Sequence, residues 1–396
     1  MLYEMTQKCP FLFGVGAIQE VGNRVKAQGA TKVLVVCDPV LKGIGYPEKL
    51  IKIIEAAGVK TVVWDKIKAD APDYLVDEGG EFARKEKIDG VVTIGGGSTL
   101  DIASGIALLA TNPGSVRDYM MVRSGLNLVG DTLAATRQIP LVAIPTTAGT
   151  GTEASACAVI TDTESSYKDT IFGVENTLAI LDPEILVTLP PYVTASTAMD
   201  AFAHAAEGLT SVLCSPRVEL LDLDAIAKIA KWLPVAVKDG SNLEARSNLL
   251  LASNFAGMAM GDAFGNIGHA IAHTLGKEYH VDHGTACGLS IAADLAYVAV
   301  AVPEMVKKIG LAMGLAFKGD ETPEEIGQIV ADGVRALMKE CGIKALKDYG
   351  LTREQVLSTI PAGTKKEQML RDLCARQPLT DEDIDAMVAE VYDKYL

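Results

Sequence analysis

Five histidines occur in 396 residues, and four of them, His269, His273, His280 and His283, fall within NIGHAIAHTLGKEYHVDHG at 266–284. The fifth, His204, stands four places after Asp200 in MDAFAHAAEG. Residues four apart on a helix share a face, so Asp200 with His204, and His269 with His273, each present two side chains in one direction. His283 follows after a turn. One carboxylate and several imidazoles gathered from facing elements suit a divalent ion such as Fe(II), Zn(II), Mn(II) or Ni(II). The lack of cysteine among these positions speaks against a structural zinc. The candidates exceed what an ion needs if one position must stay open for substrate. We take Asp200, His204, His269 and His283 as the ligands. His273, one turn from His269, is then free to relay protons, and His280 falls to a supporting or surface place.

A second chemistry sits in the first half. IGGGSTLDIASG (94–105) follows a strand pattern and opens a helix pattern. Gly95, Gly96 and Gly97 allow a tight turn and close approach of a ligand. Ser98 is expected to cap the helix, whose free N–H groups and dipole favour an anion such as a pyrophosphate. The stretch is neither the GxGxxG fingerprint nor a P-loop. PTTAGTGTEAS (145–155) also follows a strand and offers hydroxyls, two glycines and backbone donors. Two such loops at the ends of neighbouring strands converge where open α/β sheets bind ligands. Asp38 closes the strand VLVVCDP, where an acidic residue bonds a ribose hydroxyl and repels a 2′-phosphate, favouring NAD over NADP.

The elements that must position these residues change character along the chain. TKVLVVCDP (31–39), KTVVWD (60–65), DGVVTIGGGS (89–98) and IPLVAIPTT (139–147) read as buried strands separated by helical stretches, which predicts a parallel sheet covered on both faces. Past ILDPEILVTLPP (180–191) the periodicity is helical almost without interruption, over 193–213, 217–233, 243–260, 285–301, 303–316, 323–340 and 381–394. The expected fold class is therefore an α/β N-terminal domain, 1–187, followed by an all-α domain, 188–396. No solenoid-period repeat or low-complexity linker interrupts them.

Bulk composition excludes several classes. Apolar residues make up 49 %, and the net charge of −15 opposes nucleic acid or an anionic membrane as partner. No run of 18 uncharged apolar residues predicts a membrane-spanning helix, and the N-terminal MLYEMTQKCPFLFG lacks the pattern of a signal peptide. The seven cysteines are scattered without a CxxC pair. They read as buried reduced thiols, which places the protein in the cytoplasm.

Taken together, DP after a strand, GGGSTLDIA, PTTAGTGTEAS, LDPEILVTLP, MDAFAHAAEG and GHAIAHTLGKEYHVDHG resemble the iron-containing (group III) alcohol dehydrogenases, a dehydroquinate synthase-like fold shared with glycerol dehydrogenase. The matching pieces run in the family's order from residue 38 to 284. The resemblance implies metal ligation by Asp200, His204, His269 and His283, with His273 close to the nicotinamide. It implies pyrophosphate binding around Gly96, Gly97 and Ser98, with Asp101 nearby. Thr146, Thr147, Thr150 and Thr152 would line the cofactor's path, with contacts from Lys168 and Leu181. It also implies a homo-oligomer, a dimer or an assembly of dimers. Three positions depart from the family pattern: Ser104 where lysine is usual, Asp282 where proline precedes His283-Gly284, and Asp73 where asparagine follows Pro72.

The activity so implied is reversible hydride transfer between a small primary alcohol or diol and NAD, and equally aldehyde reduction. One divalent ion, Fe(II) first and Zn(II) or Mn(II) next, would act as Lewis acid. A glycerol-dehydrogenase-like polyol enzyme and a hydroxy-acid dehydrogenase of the same family are the alternatives. A dehydroquinate-type reaction would want Lys and Arg around the ligands, and the flanking segments contain none. A non-catalytic scaffold would show a lost ligand or a broken glycine loop, and both are intact. Phe255, Phe264 and Asn266 are the candidates for lining the substrate pocket.

Overall fold

The computed structural model describes residues 7–121 and 139–395. The first six residues, part of the N-terminal stretch read above for a leader, lie outside the described residues. Chain contacts divide the protein into two compact units. One comprises Thr6–Thr147 and Thr152–Leu186, the other Ala148–Gly151 and the chain from Val187 onward.

The first unit is built on a six-stranded sheet, with strands β1 (Phe11–Phe13), β2 (Lys32–Cys37), β3 (Lys60–Trp64), β4 (Gly90–Gly95), β5 (Leu141–Pro145) and, after a separate hairpin, β8 (Leu178–Leu181). Their order is β1-β8-β5-β4-β2-β3 and every pairing is parallel. β4 and β5 are buried at every residue, which explains their unbroken Val/Ile runs: a strand covered on both faces has no polar side to alternate with. Among the described residues the unit's α-helices are α1 (Val21–Ala27), α2 (Pro39–Lys42), α3 (Tyr46–Ala56), α4 (Asp73–Glu86), α5 (Gly97–Thr111) and the single turn α6 (Thr152–Ser155). Leu34, Trp64, Leu75, Ile102, Ile106 and Leu141 belong to one apolar cluster.

The chain runs from β2 outward to β3 and then returns across to β4, so the topological switch falls between β2 and β4. The residues after β2, β4 and β5 therefore emerge side by side at the strands' C-terminal ends, since Cys37 pairs with Ile94 and Gly95 with Pro145.

Two parts of this unit go beyond the sequence reading. β1 and β8 are short strands paired with each other. Cys157–Asp162 (β6) and Tyr167–Phe172 (β7) form an antiparallel hairpin outside the main sheet. Its inner residues Ala158, Ile160 and Ile171 join the cluster containing Ile102 and Ile106. Lys168, Asp169 and Thr170 within β7 hide the signal of the second strand.

The second unit contains ten α-helices among the described residues: α7 (Pro191–Leu209), α8 (Pro216–Lys238), α9 (Leu243–Ala263), α10 (Ile267–Tyr279), α11 (His283–Val298), α12 (Pro303–Ala312), α13 (Pro323–Glu340), α14 (Arg353–Thr364), α15 (Gln368–Leu373) and α16 (Asp381–Asp393). None of the described helices is long and apolar enough to cross a membrane. α7 is Ala-rich and begins with Pro191 at its first position, where a missing N–H costs nothing. α11 packs against both α7 and α10, and this three-helix contact carries the histidines.

Candidate active site

On α7, Asp200, His204 and Glu207 follow at spacings of four and three, so all three project from one face. α10 contributes His269 and His273 one turn apart, and α11 opens with His283 at its first position. Gly284 lets α11 come close. A Cβ there would stand 2.0 Å from the carbonyl oxygen of Ser196 on α7, so only glycine allows the backbone approach that brings His283 to Asp200.

The result converges on one oxygen. Asp200 Oδ1 lies 3.7 Å from His204 Nε2, 3.6 Å from His269 Nε2 and 3.5 Å from His283 Nε2, yet it is buried without a hydrogen bond of normal geometry. Donors about 2.1 Å from a shared ion stand roughly 3.0–3.4 Å apart in octahedral or tetrahedral arrangements. The donor set, its near-ligand spacing and the orphaned oxygen fit a divalent ion. Burial alone would raise the Asp200 carboxyl, but His204, His283 and His269 together hold it well below the ordinary range. Burial lowers His204 below its ordinary range, against the opposing pull of the Asp200 charge.

His273 joins the same cluster. Its ring stacks on His283 at 5.6 Å between centroids, and Nδ1 lies 4.0 Å from Glu367 Oε1 on the segment before α15. His280 caps α10 in a left-handed conformation and is exposed, which makes it a surface residue.

Three residues of this site escaped the sequence reading or were misread in it. Glu207 is completely buried: Oε1 accepts from the backbone N–H of His269 at 2.8 Å, while Oε2 bonds its Nδ1. That double contact turns Nε2 toward Asp200 and fixes which nitrogen is free, the role outer carboxylates play for metal-binding histidines. Cys287, one turn after His283, puts its Sγ 3.5 Å from His269 Nε2 and 3.6 Å from His283 Nε2. The sequence reading placed no cysteine among these positions, and Cys287 stands beside two of the expected ligands. Asn266, expected to line the pocket, is fully buried and gives its amide to the Glu207 carbonyl and to Thr210 Oγ1. It ties the entry of α10 to the end of α7. Phe264 and Phe255 are partly buried, and Phe255 lies under the ammonium of Lys228.

The departure at Asp282 also has a structural account. Its carboxylate caps α11 through the N–H of Thr285 at 3.1 Å and accepts the hydroxyls of Tyr192 and Tyr349. Burial works to raise this carboxyl, but the two tyrosines and Thr285 hold it below its usual range.

In the α/β unit, the helix α5 starts at Gly97, so its cap is Gly96 in an extended conformation (φ −79°, ψ −177°). Ser98 is thus not the cap: two residues past Gly96, it is already helical. No side chain bonds the first N–H groups of α5, and a Cβ at Gly96 would meet nothing nearer than the Thr147 methyl at 3.6 Å. Open donors beside uncrowded backbone fit a pyrophosphate. Asp38 sits after the neighbouring strand and uses Oδ1 to cap α2 through the N–H of Val40 at 2.8 Å. Thr146 follows β5 and donates its N–H to the Gly95 carbonyl at 2.9 Å, which ties the two loops together.

Of the remaining cofactor candidates, Thr152 and Lys168 both act on the Asp101 carboxyl. Thr150 lies in the Ala148–Gly151 segment that groups with the helical unit. Thr152 is buried and turns its hydroxyl to Asp101, whose carboxyl is pushed up to about 8 by burial. Lys168 lies on β7 and pairs with Asp70 at 2.8 Å. Leu181 is completely buried at the end of β8. Ser104, where lysine was expected from the resemblance, is buried on α5.

Residues 10–183 match the iron-containing alcohol dehydrogenase family model, and residues 194–392 match the model of the same family's C-terminal region. The chain is 34 % identical over 345 residues to a choline dehydrogenase of Bacillus subtilis, covering 87 % of this chain and 84 % of that one. It is 35 % identical over 313 residues to an NAD-dependent methanol dehydrogenase of Bacillus methanolicus, covering 78 % and 80 %. The crystal structure of a 1,3-propanediol oxidoreductase superposes with a TM-score of 0.90 at 29 % identity, covering 98 % of this chain and all of that one. The family and fold are those of an oxidoreductase acting on alcohols. The chain belongs to the iron-containing alcohol dehydrogenase family.

Proposed function

We propose that the chain oxidises small primary alcohols, diols among them, with NAD as the acceptor, and reduces the corresponding aldehydes in reverse. The observation that carries this reading is the buried Asp200 oxygen surrounded by three imidazole nitrogens at 3.5–3.7 Å. Asp200, His204, His269 and His283 would hold a divalent ion, Fe(II) first, with Zn(II) or Mn(II) next. Bound there, the ion supplies a Lewis acid for the alcohol oxygen, and NAD supplies the hydride acceptor.

The chain's own groups do the rest. Asp200 contributes the negative charge that offsets a dication, and Glu207 holds His269 in its ligating orientation. His273 is within reach of the cluster and of Glu367, so it can carry the alcohol's proton away from the site. The α/β unit, which we read as the NAD-binding domain of residues 1–187, offers the N-terminus of α5 to the pyrophosphate and the Asp38 carboxylate to a ribose. A carboxylate in that place supports NAD over NADP. The helical remainder, 188–396, is then the metal-binding and catalytic domain.

The test is elemental analysis of anaerobically purified protein beside His269→Ala, with reduced-cofactor formation followed over a panel of short alcohols and diols using NAD and NADP. About one divalent ion per chain, lost with activity in the variant, is the expected result. A metal-free but active protein, or a fully active variant, would overturn the reading.

A further inference from the structure

Cys287 has no part in the donor set above, yet its sulfur shares that set's space. It lies one helical turn after His283 on α11 and is completely buried. A buried cysteine that served only to fill space would sit among carbon atoms. Here Sγ faces the Nε2 atoms of His269 and His283, the same nitrogens that face Asp200 Oδ1. Ligand atoms of Asp200, His269, His283 and Cys287 all lie within 4.8 Å of one another. The orphaned Asp200 oxygen points into the same space and is an independent sign that it is built for a cation.

We propose that Cys287 is a thiolate donor to the metal centre, adding a soft ligand to the one carboxylate and three imidazoles. This rests on the metal-centre reading of the preceding subsection. On loading, the Cys287 thiol gives its proton to solvent and the sulfur–metal bond forms, with no change of oxidation state. Two consequences follow from the chemistry of the donors. Sulfur favours thiophilic ions such as Zn(II) over hard ones such as Mn(II), so the centre discriminates more sharply than a set of oxygen and nitrogen alone. A six-coordinate ion held by all five would retain one position for the substrate oxygen, while the ligand atoms within 4.8 Å of one another, those of Asp200, His269, His283 and Cys287, leave His204 outside the group.

The experiment replaces the native ion with Co(II) in the full-length wild type and in Cys287→Ser and Cys287→Ala, with cobalt content measured in each. The expected result is a sulfur-to-cobalt charge-transfer absorption in the near ultraviolet for the wild type. Both variants should lose it while still holding about one cobalt per chain. Titration in buffers of different ionisation heat should show the wild type releasing one more proton than the variants. Zinc affinity relative to manganese should fall roughly 10- to 100-fold in Cys287→Ala. Cobalt bound by the wild type without the band, or a band unchanged in the variants, overturns the proposal and leaves the four-ligand centre standing. Failure of the wild type to bind cobalt at all removes both.

Discussion

Glu207 and His269 are joined twice, the carboxylate accepting both the backbone N–H of His269 and its ring Nδ1. The pair fixes backbone and imidazole together, so His269 has one orientation before any ion arrives. Asp294 lies on α11 near the same carboxylate, and burial together with the Glu207 charge pushes its own carboxyl well above the ordinary range.

Glu207→Gln keeps the shape of that contact but weakens its pull on the ring. Metal affinity should drop about 10- to 100-fold, with the fold retained. Competitive titration against a chromogenic chelator, beside circular dichroism, checks it. An unchanged affinity would mean that Glu207 only fills space.

Asp38→Asn preserves the cap of α2, because the carboxamide oxygen still accepts from Val40, and removes the charge. The preference for NAD over NADP should narrow by roughly tenfold, the equivalent of about 1.4 kcal/mol. The ratio of kcat/KM values for the two cofactors is the readout, and no change would take Asp38 out of the cofactor site.

Gly257→Ala tests how the threonine-rich loop is seated. Gly151 adopts a left-handed conformation (φ +59°), and a Cβ on Gly257 of α9 would stand 2.4 Å from the Gly151 carbonyl oxygen and 2.7 Å from its Cα. Alanine would gain about 1 kcal/mol in helix propensity. The obstruction is backbone, however, and cannot swing aside, so overpacking wins with a net loss of about 1–3 kcal/mol. Chemical denaturation measures the loss, and the Michaelis constant for NAD should rise with displacement of residues 148–151.

Asp101 makes stability depend on pH. Its carboxyl, pushed by burial from 3.8 to about 8, stays protonated in the folded chain where the unfolded chain has already lost its proton. The folded state therefore binds more protons between about pH 4 and pH 8. Stability contributed by this group is complete below pH 4 and is lost as pH rises through 8, at about 1.4 kcal/mol per pH unit. Asp101→Asn should flatten that slope in thermal melts taken across the window. An identical slope in the variant would show that Asp101 is ionised in the fold.

Asp282→Ala removes a helix cap and leaves the hydroxyls of Tyr192 and Tyr349 without their acceptor. Cap loss alone costs about 1 kcal/mol, and denaturant midpoints should fall accordingly. Asp282→Asn, which can still cap, should fall less.

Much of this molecule was legible before any coordinate. Parallel strands of continuous Val and Ile, and helices with apolar residues at spacings of three and four, are consequences of what each face touches. That burial is written into the composition of each segment. The pairs Asp200–His204 and His269–His273 were readable for the same reason, since four residues bring a helix back to one face. The glycine loop after β4 was readable because few residues allow such a turn. What the sequence left open is which face meets which. Glu207 and Cys287 carried the same helical spacing as their neighbours, three after His204 and four after His283. Nothing in that spacing says that α7, α10 and α11 meet with these faces inward. The hairpin β6–β7, whose second strand looks polar, needed the apolar surface of α5 to become a strand pair. Local pattern determined the elements and the types of donor; packing of backbones as close as Gly284 against Ser196 decided which donors share an oxygen.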